Sequence, residues 1–111
     1  MSAKYHVAEL HSDSGVTASF QTDRVDLREW MMGSFQVKTT TSSGVSWTVA
    51  LQGSNDGLTF VDAACPTAIS TTSNFVFSVP HLTSRYYRLS FTATSGTLDT
   101  VSASYVVKGL H

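Results

Sequence analysis

Metal binding is the first chemistry to test against this sequence, which holds four histidines, one cysteine and a short acidic stretch. His6, His11, His81 and His111 do not fall at ligand spacings, and neither a His-x-x-x-His nor a Cys-x-x-Cys pair occurs. The histidines near the two ends, His6, His11 and His111, read as exposed and non-ligating. Asp23, Asp26 and Glu29 surround Arg24 and Arg28. Both signs of charge within a few residues predict a solvated turn with local ion pairs, not a calcium cluster or a general acid–base pair. Cys65 stands beside Pro66 and has no second cysteine to pair with, so it reads as a small buried or half-buried apolar residue and not a nucleophile.

Nucleophilic and phosphate chemistry fare no better. No Gly-x-Ser-x-Gly elbow surrounds a serine, and Gly53 and Gly57 flank a turn instead of opening a long helix. Asp56 in Ser54-Asn55-Asp56-Gly57 is what such a turn needs on backbone grounds. No catalytic, cofactor-binding or metal-ligating residue is therefore assigned, and the chain reads as non-enzymatic. The residues left for function are those of a contact surface. Trp30 and Tyr86 do not fit an inward pattern, and with Arg88 and Asn55 they offer aromatic area beside polar groups. That combination suits either a protein partner or the apolar faces and hydroxyls of a glycan.

The elements that position these residues are strands. Val45, Trp47, Val49 and Leu51 alternate with Ser46, Thr48, Ala50 and Gln52, which places one set on a core face and the other toward solvent. The Gly53–Gly57 cluster predicts a hairpin into Leu58-Thr59-Phe60-Val61. Phe75, Phe77 and Val79 share a face up to Pro80, and Tyr87, Leu89 and Phe91 share another up to a turn at Thr94-Ser95-Gly96-Thr97. Residues 98–107 alternate through Val101, Ala103, Tyr105 and Val107 and are expected to pair with the strand before them. Val16, Ala18 and Phe20, and then Phe35 and Val37, mark earlier strands. The aromatics Trp47, Phe60, Phe75, Phe77, Tyr87, Phe91 and Tyr105 are expected to layer the core between two sheets. About eight short strands without a helix predict an all-β antiparallel sandwich or jelly roll. Residues 16–111 form the single domain in this reading, and residues 1–15 an N-terminal arm or first edge strand.

Composition narrows the partners. The 111 residues carry a formal charge of -1, and only 14% are Asp, Glu, Lys or Arg, with Ser and Thr supplying most of the polarity. Dispersed cations give no footprint for nucleic acid or an anionic membrane, so neither is expected as a partner. No apolar run reaches the ~20 residues of a membrane helix, and residues 1–10 lack the order of a signal peptide, so the chain reads as made and kept in a cytoplasm. A hydroxyl-rich face loses little when another subunit covers it, because isolated charges are the costly groups to bury.

Two blocks carry a resemblance. Leu51-Gln52-Gly53-Ser54-Asn55-Asp56-Gly57-Leu58-Thr59-Phe60 and Arg85-Tyr86-Tyr87-Arg88-Leu89-Ser90-Phe91-Thr92 look like the strand–turn–aromatic and Arg-Tyr blocks of discoidin-like (galactose-binding-like) jelly rolls. With Asp26-Leu27, Phe35-Gln36-Val37 and Lys108-Gly109 they more closely resemble small bacteriophage virion proteins. The phage resemblance implies a virion structural protein, a decoration, spike or tail component. It implies a homo-oligomer, a trimer favoured, that docks on capsid or tail subunits. The discoidin-like resemblance implies the alternative, a carbohydrate-binding module for a host surface glycan. This chain lacks the paired cysteines of full discoidin domains.

Overall fold

Nested antiparallel pairing organises the computed structural model, which describes residues 3–42 and 44–110. The strands are β1 (Ala3–Val16), β2 (Phe20–Gln21), β3 (Val25–Asp26), β4 (Met32–Thr40) and β5 (Ser46–Ser54). They continue as β6 (Val61–Asp62), β7 (Thr67–Ile69), β8 (Ser73–Val79), β9 (Tyr86–Ser95) and β10 (Leu98–Leu110). One sheet has the order β1-β10-β4-β8. In the other, β9 and β5 are central, with β2 and β3 both on β9 and β6 and β7 both on β5. Taking β2 with β3 and β6 with β7 as two interrupted strands gives eight positions in two four-stranded sheets, the jelly-roll sandwich expected from the alternation.

The interruptions have local causes. At Thr22 the backbone N–H donates to the Leu89 carbonyl at 2.9 Å, while its side-chain Oγ1 accepts the Leu89 N–H at 3.0 Å. A hydroxyl thus replaces a backbone acceptor, and the ladder stops before β3 begins. Between β6 and β7 lies Pro66, which has no N–H to give a ladder.

Side-chain alternation delivers the core. Val45, Trp47, Val49 and Leu51 are all buried, as are Tyr87, Leu89 and Phe91 opposite them in the sheet and Phe35, Val37, Val101, Ala103 and Val107 across the sandwich. Phe75 and Tyr105 are half-buried against this core. Phe60 departs from expectation. It lies outside the core beneath Arg88, because the chain after Gly57 stays irregular until Val61, where pairing with β5 begins.

A second expectation fails at the last strand. β10 pairs with β1 and β4, not with β9, since the Thr94–Thr97 turn carries the chain from one sheet to the other. Gly96 makes that crossing at φ +85, a conformation that disfavours side chains, and the Trp47 indole N–H donates to its carbonyl at 3.2 Å. The stretch read as arm or edge strand runs largely in β1, which lies on the sheet edge and pairs with β10 from Ala3↔Leu110 to Val16↔Leu98. His11, expected to be exposed, is half-buried and stacked on Phe20 with ring centroids 4.7 Å apart. His111 lies outside the described residues.

Candidate functional site

Three of the four residues read as a contact surface meet at one end of the second sheet. Alternation on β9 turns Tyr86 and Arg88 away from the core, and the register sets them opposite Ser54 and Gln52 of β5. Asn55 follows Ser54 and is exposed in the turn. Arg88 donates from Nε to Gln52 Oε1 at 2.9 Å, and Gln52 donates to Asp62 Oδ1 at 3.3 Å. The Arg88 guanidinium lies 4.0 Å from the centroid of Phe60, the ring that the core did not take.

Tyr86 is covered in the same manner. The guanidinium carbons of Arg24 and Arg85 sit 4.7 and 4.8 Å from its ring centroid. Arg24 is held there by donating to the Gly57 carbonyl at 2.6 Å, and Arg85 by pairing with Asp26 at 3.3 Å. Gly57, at φ +76, lets this stack close, since a Cβ there would run into the Arg24 guanidinium.

The turn itself is tied by one carboxylate. Asp56 Oδ1 accepts the N–H of Leu58 at 2.8 Å, the N–H of Thr59 at 2.9 Å and the Ser54 hydroxyl at 2.8 Å. These bonds, the Thr59 N–H first, favour the charged form and lower the Asp56 pKa from 3.8 to about 2. Ser54 Oγ in turn accepts the Gly57 N–H at 2.9 Å. Beside the turn is a shallow polar hollow of about 290 Å³ lined by Gly53, Ser54, Asn55, Asp56, Thr59, Val61 and Ser84. Asp26, the last residue of β3, is also held below its ordinary pKa, first by the Arg28 N–H and then by the Arg85 and Arg28 guanidinium groups.

Trp30 belongs elsewhere. It packs against Gly109 on the inward side of β10, stacks with His6 at 5.9 Å, and carries the Lys4 ammonium 4.7 Å from its centroid. Arg24 and Phe60 complete the Tyr86–Arg88 cluster, yet no alternation in the sequence marks them. Lys108 lies 5.6 Å over Tyr5, so Lys4, Arg24, Arg85, Arg88 and Lys108 all cover aromatic rings. Chemically this is a set of capped rings and satisfied donors, suited to shape and contact. Among the described residues no three His, Cys, Asp or Glu side chains converge as a metal site, and Cys65, expected to be buried or half-buried, is exposed in the connection between β6 and β7.

No protein-family model matches the chain, and no curated protein matches it in sequence. Solved structures do match it in fold. The SPBc2 prophage-derived protein YomS superposes with a TM-score of 0.64 at 7% identity, covering 98% of this chain and 96% of its own. A structure described as Bacillus endospore appendages that form disulfide-linked pili gives 0.65 at 13% identity, over 98% of this chain and 89% of that one. The coat protein of Tobacco streak virus gives 0.54 at 8% identity, over 96% and 84%. At these identities the likeness is one of fold: the whole chain has the architecture of a prophage-derived protein, an appendage protein and a viral coat protein.

Proposed function

We propose that this protein is a non-enzymatic structural subunit of a bacteriophage virion. In this reading it is made in the host cytoplasm, self-associates into a closed ring for which three subunits is the leading number, and docks on capsid or tail subunits. The observation that carries the proposal is the eight-position jelly roll, complete within one short chain and matched almost end to end by a prophage-derived protein and a virus coat protein. Fold alone does not fix role. The surface supports the same reading, because the cations around Tyr86 and Phe60 cap rings and the turn carboxylate is consumed by backbone N–H groups, which leaves contact as the chemistry that site offers.

The experiment is light scattering during size-exclusion chromatography, followed by adding the purified chain to particles assembled without it. A concentration-independent ring that binds those particles supports the proposal. A monomer that leaves the particles bare overturns it.

A host-surface glycan is the second reading, favoured by the polar hollow beside Asn55. Sugar stacking would have to displace Arg24 and Arg85 from Tyr86, or Lys4 from Trp30. A glycan array that shows a binder for the wild type and none for Tyr86→Ala would favour this reading over the first.

A further inference from the structure

We infer that the outer face of the β1-β10-β4-β8 sheet is a two-fold docking surface for a second copy of this chain. The inference rests on the self-associating reading above and adds the face and the symmetry of one contact. Most large apolar side chains left exposed gather there: Tyr5 at 62%, Val7 at 68%, Val76 at 52%, and Met32 and Val106 at 38% each. The register puts them on one surface, with Val7 opposite Val106, Tyr5 opposite Lys108, Lys108 opposite Met32, and Val106 opposite Ser34. The outer face of the other sheet carries Ser46, Thr48, Thr92 and Thr94 toward one end, and its aromatics toward the other, Tyr86 and Phe60, are covered by guanidinium groups. An apolar cluster confined to one face of a weakly charged molecule marks a contact site.

The relief of this face is complementary to itself. Tyr5 and Val7 form a ridge on the edge strand. Beside it lies a mostly apolar hollow of about 420 Å³ whose near wall is Tyr5, Val106 and Lys108, whose floor is Gly33, Ser34 and Ser78 and whose far wall is Val79 and Pro80. Ridge and floor are two strand spacings apart, roughly 10 Å, with Val106 between them. A two-fold axis near Val106 therefore exchanges ridge for hollow, so that each copy's Tyr5 and Val7 enter the other's hollow. That is the geometry of an isologous contact.

Area and charge agree with this occupant. Four strands about 4.8 Å apart and the length of β4 at about 3.3 Å per residue give a face of roughly 19 by 30 Å. With the relief of its side chains, such a face approaches the ~800 Å² per partner of a standard stable interface. Lys108 is the charged residue lining the hollow, and its ammonium is held 5.6 Å from the centroid of the Tyr5 ring, which offsets part of the cost of covering it.

A two-fold contact makes the subunit number even: a dimer, or rings joined in pairs. Light scattering on the wild type, Val7→Asp and Leu58→Asp tests this, with circular dichroism as the folding control. Leu58, 84% exposed in the β5–β6 connection, is the apolar control away from the face. The expected result is an even-numbered wild type, unchanged in Leu58→Asp and halved in mass in Val7→Asp. The dissociation constant should rise on the order of 100-fold for each buried unpaired charge, of which a two-fold contact holds two. In a second variant, Cys65→Ser with Val106→Cys, a bismaleimide with a spacer of about 8–10 Å should cross-link two copies through position 106, since a residue near the axis faces its own mate across the ~10 Å between stacked sheets, too far for a disulfide. A wild-type trimer, an even assembly that survives Val7→Asp, or no cross-link through position 106 overturns this face and leaves self-association standing. A monomer up to about 100 µM overturns the face and self-association together.

Discussion

Removing one oxygen from Tyr87 should loosen the connection between β8 and β9 without touching its packing. Tyr87 is 1% exposed, and its hydroxyl accepts the N–H of Thr83 at 3.0 Å and of Ser84 at 3.1 Å. Ser84 packs close to Gly53, where a Cβ would meet the Ser84 Oγ at 2.8 Å, so water has little room to replace the lost acceptor there. Thr83 is exposed, and its N–H can turn to solvent. One unsatisfied donor and one rehydrated donor amount to a loss of about 2 kcal/mol for Tyr87→Phe. At ~2.1 cal/mol/K per residue the unfolding entropy of this chain is roughly 230 cal/mol/K, which converts that loss into a fall in Tm of about 8–9 °C. Urea unfolding should show a lower midpoint with an unchanged slope. Amide exchange should quicken at Thr83 and Ser84 but not at Leu89, which is held by Thr22. Tyr105→Phe, half-buried on the inner face of β10, serves as comparison. A Tyr87→Phe loss below about 0.5 kcal/mol, or equal to that of Tyr105→Phe, would refute the assignment of the hydroxyl as the tether.

Three further outcomes follow from named contacts. Gly96→Ala should cost about 2 kcal/mol or more by urea unfolding, because φ is +85 and the new Cβ would meet Val45 Cγ1 at 2.6 Å. Thr22→Val should lose about 1–3 kcal/mol in the same assay, since it leaves the buried Leu89 N–H without its acceptor. For Asp56 the folded pKa is the lower one, so its contribution is complete above 3.8 and disappears as pH falls toward about 2. Thermal unfolding of Asp56→Asn across that window should show a shallower decline than the wild type. Some slope should persist, because Asp26 is shifted in the same direction.

Strand content and core were legible where one face is buried, because a period of two then leaves a direct mark. Val45, Trp47, Val49 and Leu51 show it, as do Tyr87, Leu89 and Phe91. Partner choice left no such mark. The turn at Gly96 has the composition of a hairpin, yet it spans two sheets, and only the contact with Val45 and Trp47 distinguishes the cases. Phe60 departs for a related reason: its aromatic type favours burial, while a guanidinium on the outer face offers the same ring a partner. Of the contact residues, Tyr86 and Arg88 were visible as the outward members of an alternating strand, and Trp30 was placed with them although it packs beside β1 and β10. The apolar outer face was missed, although adjacent Val106 and Val107 signal it, since consecutive residues of a strand must point to opposite sides.

The first strand pairs with the last, Ala3 against Leu110 and Val16 against Leu98, and this has a kinetic consequence. On the ribosome β1 has no partner until β10 emerges, and β4 lacks its neighbour on the same side for as long. Pairings so distant along the chain are slow to close, and open strands recruit whatever copy is nearby. A polysome crowded with such nascent chains therefore offers an interval in which one copy's β1 can be accepted by another copy's β10. Translation rate and expression level, more than final stability, would then govern how many subunits emerge with exchanged strands.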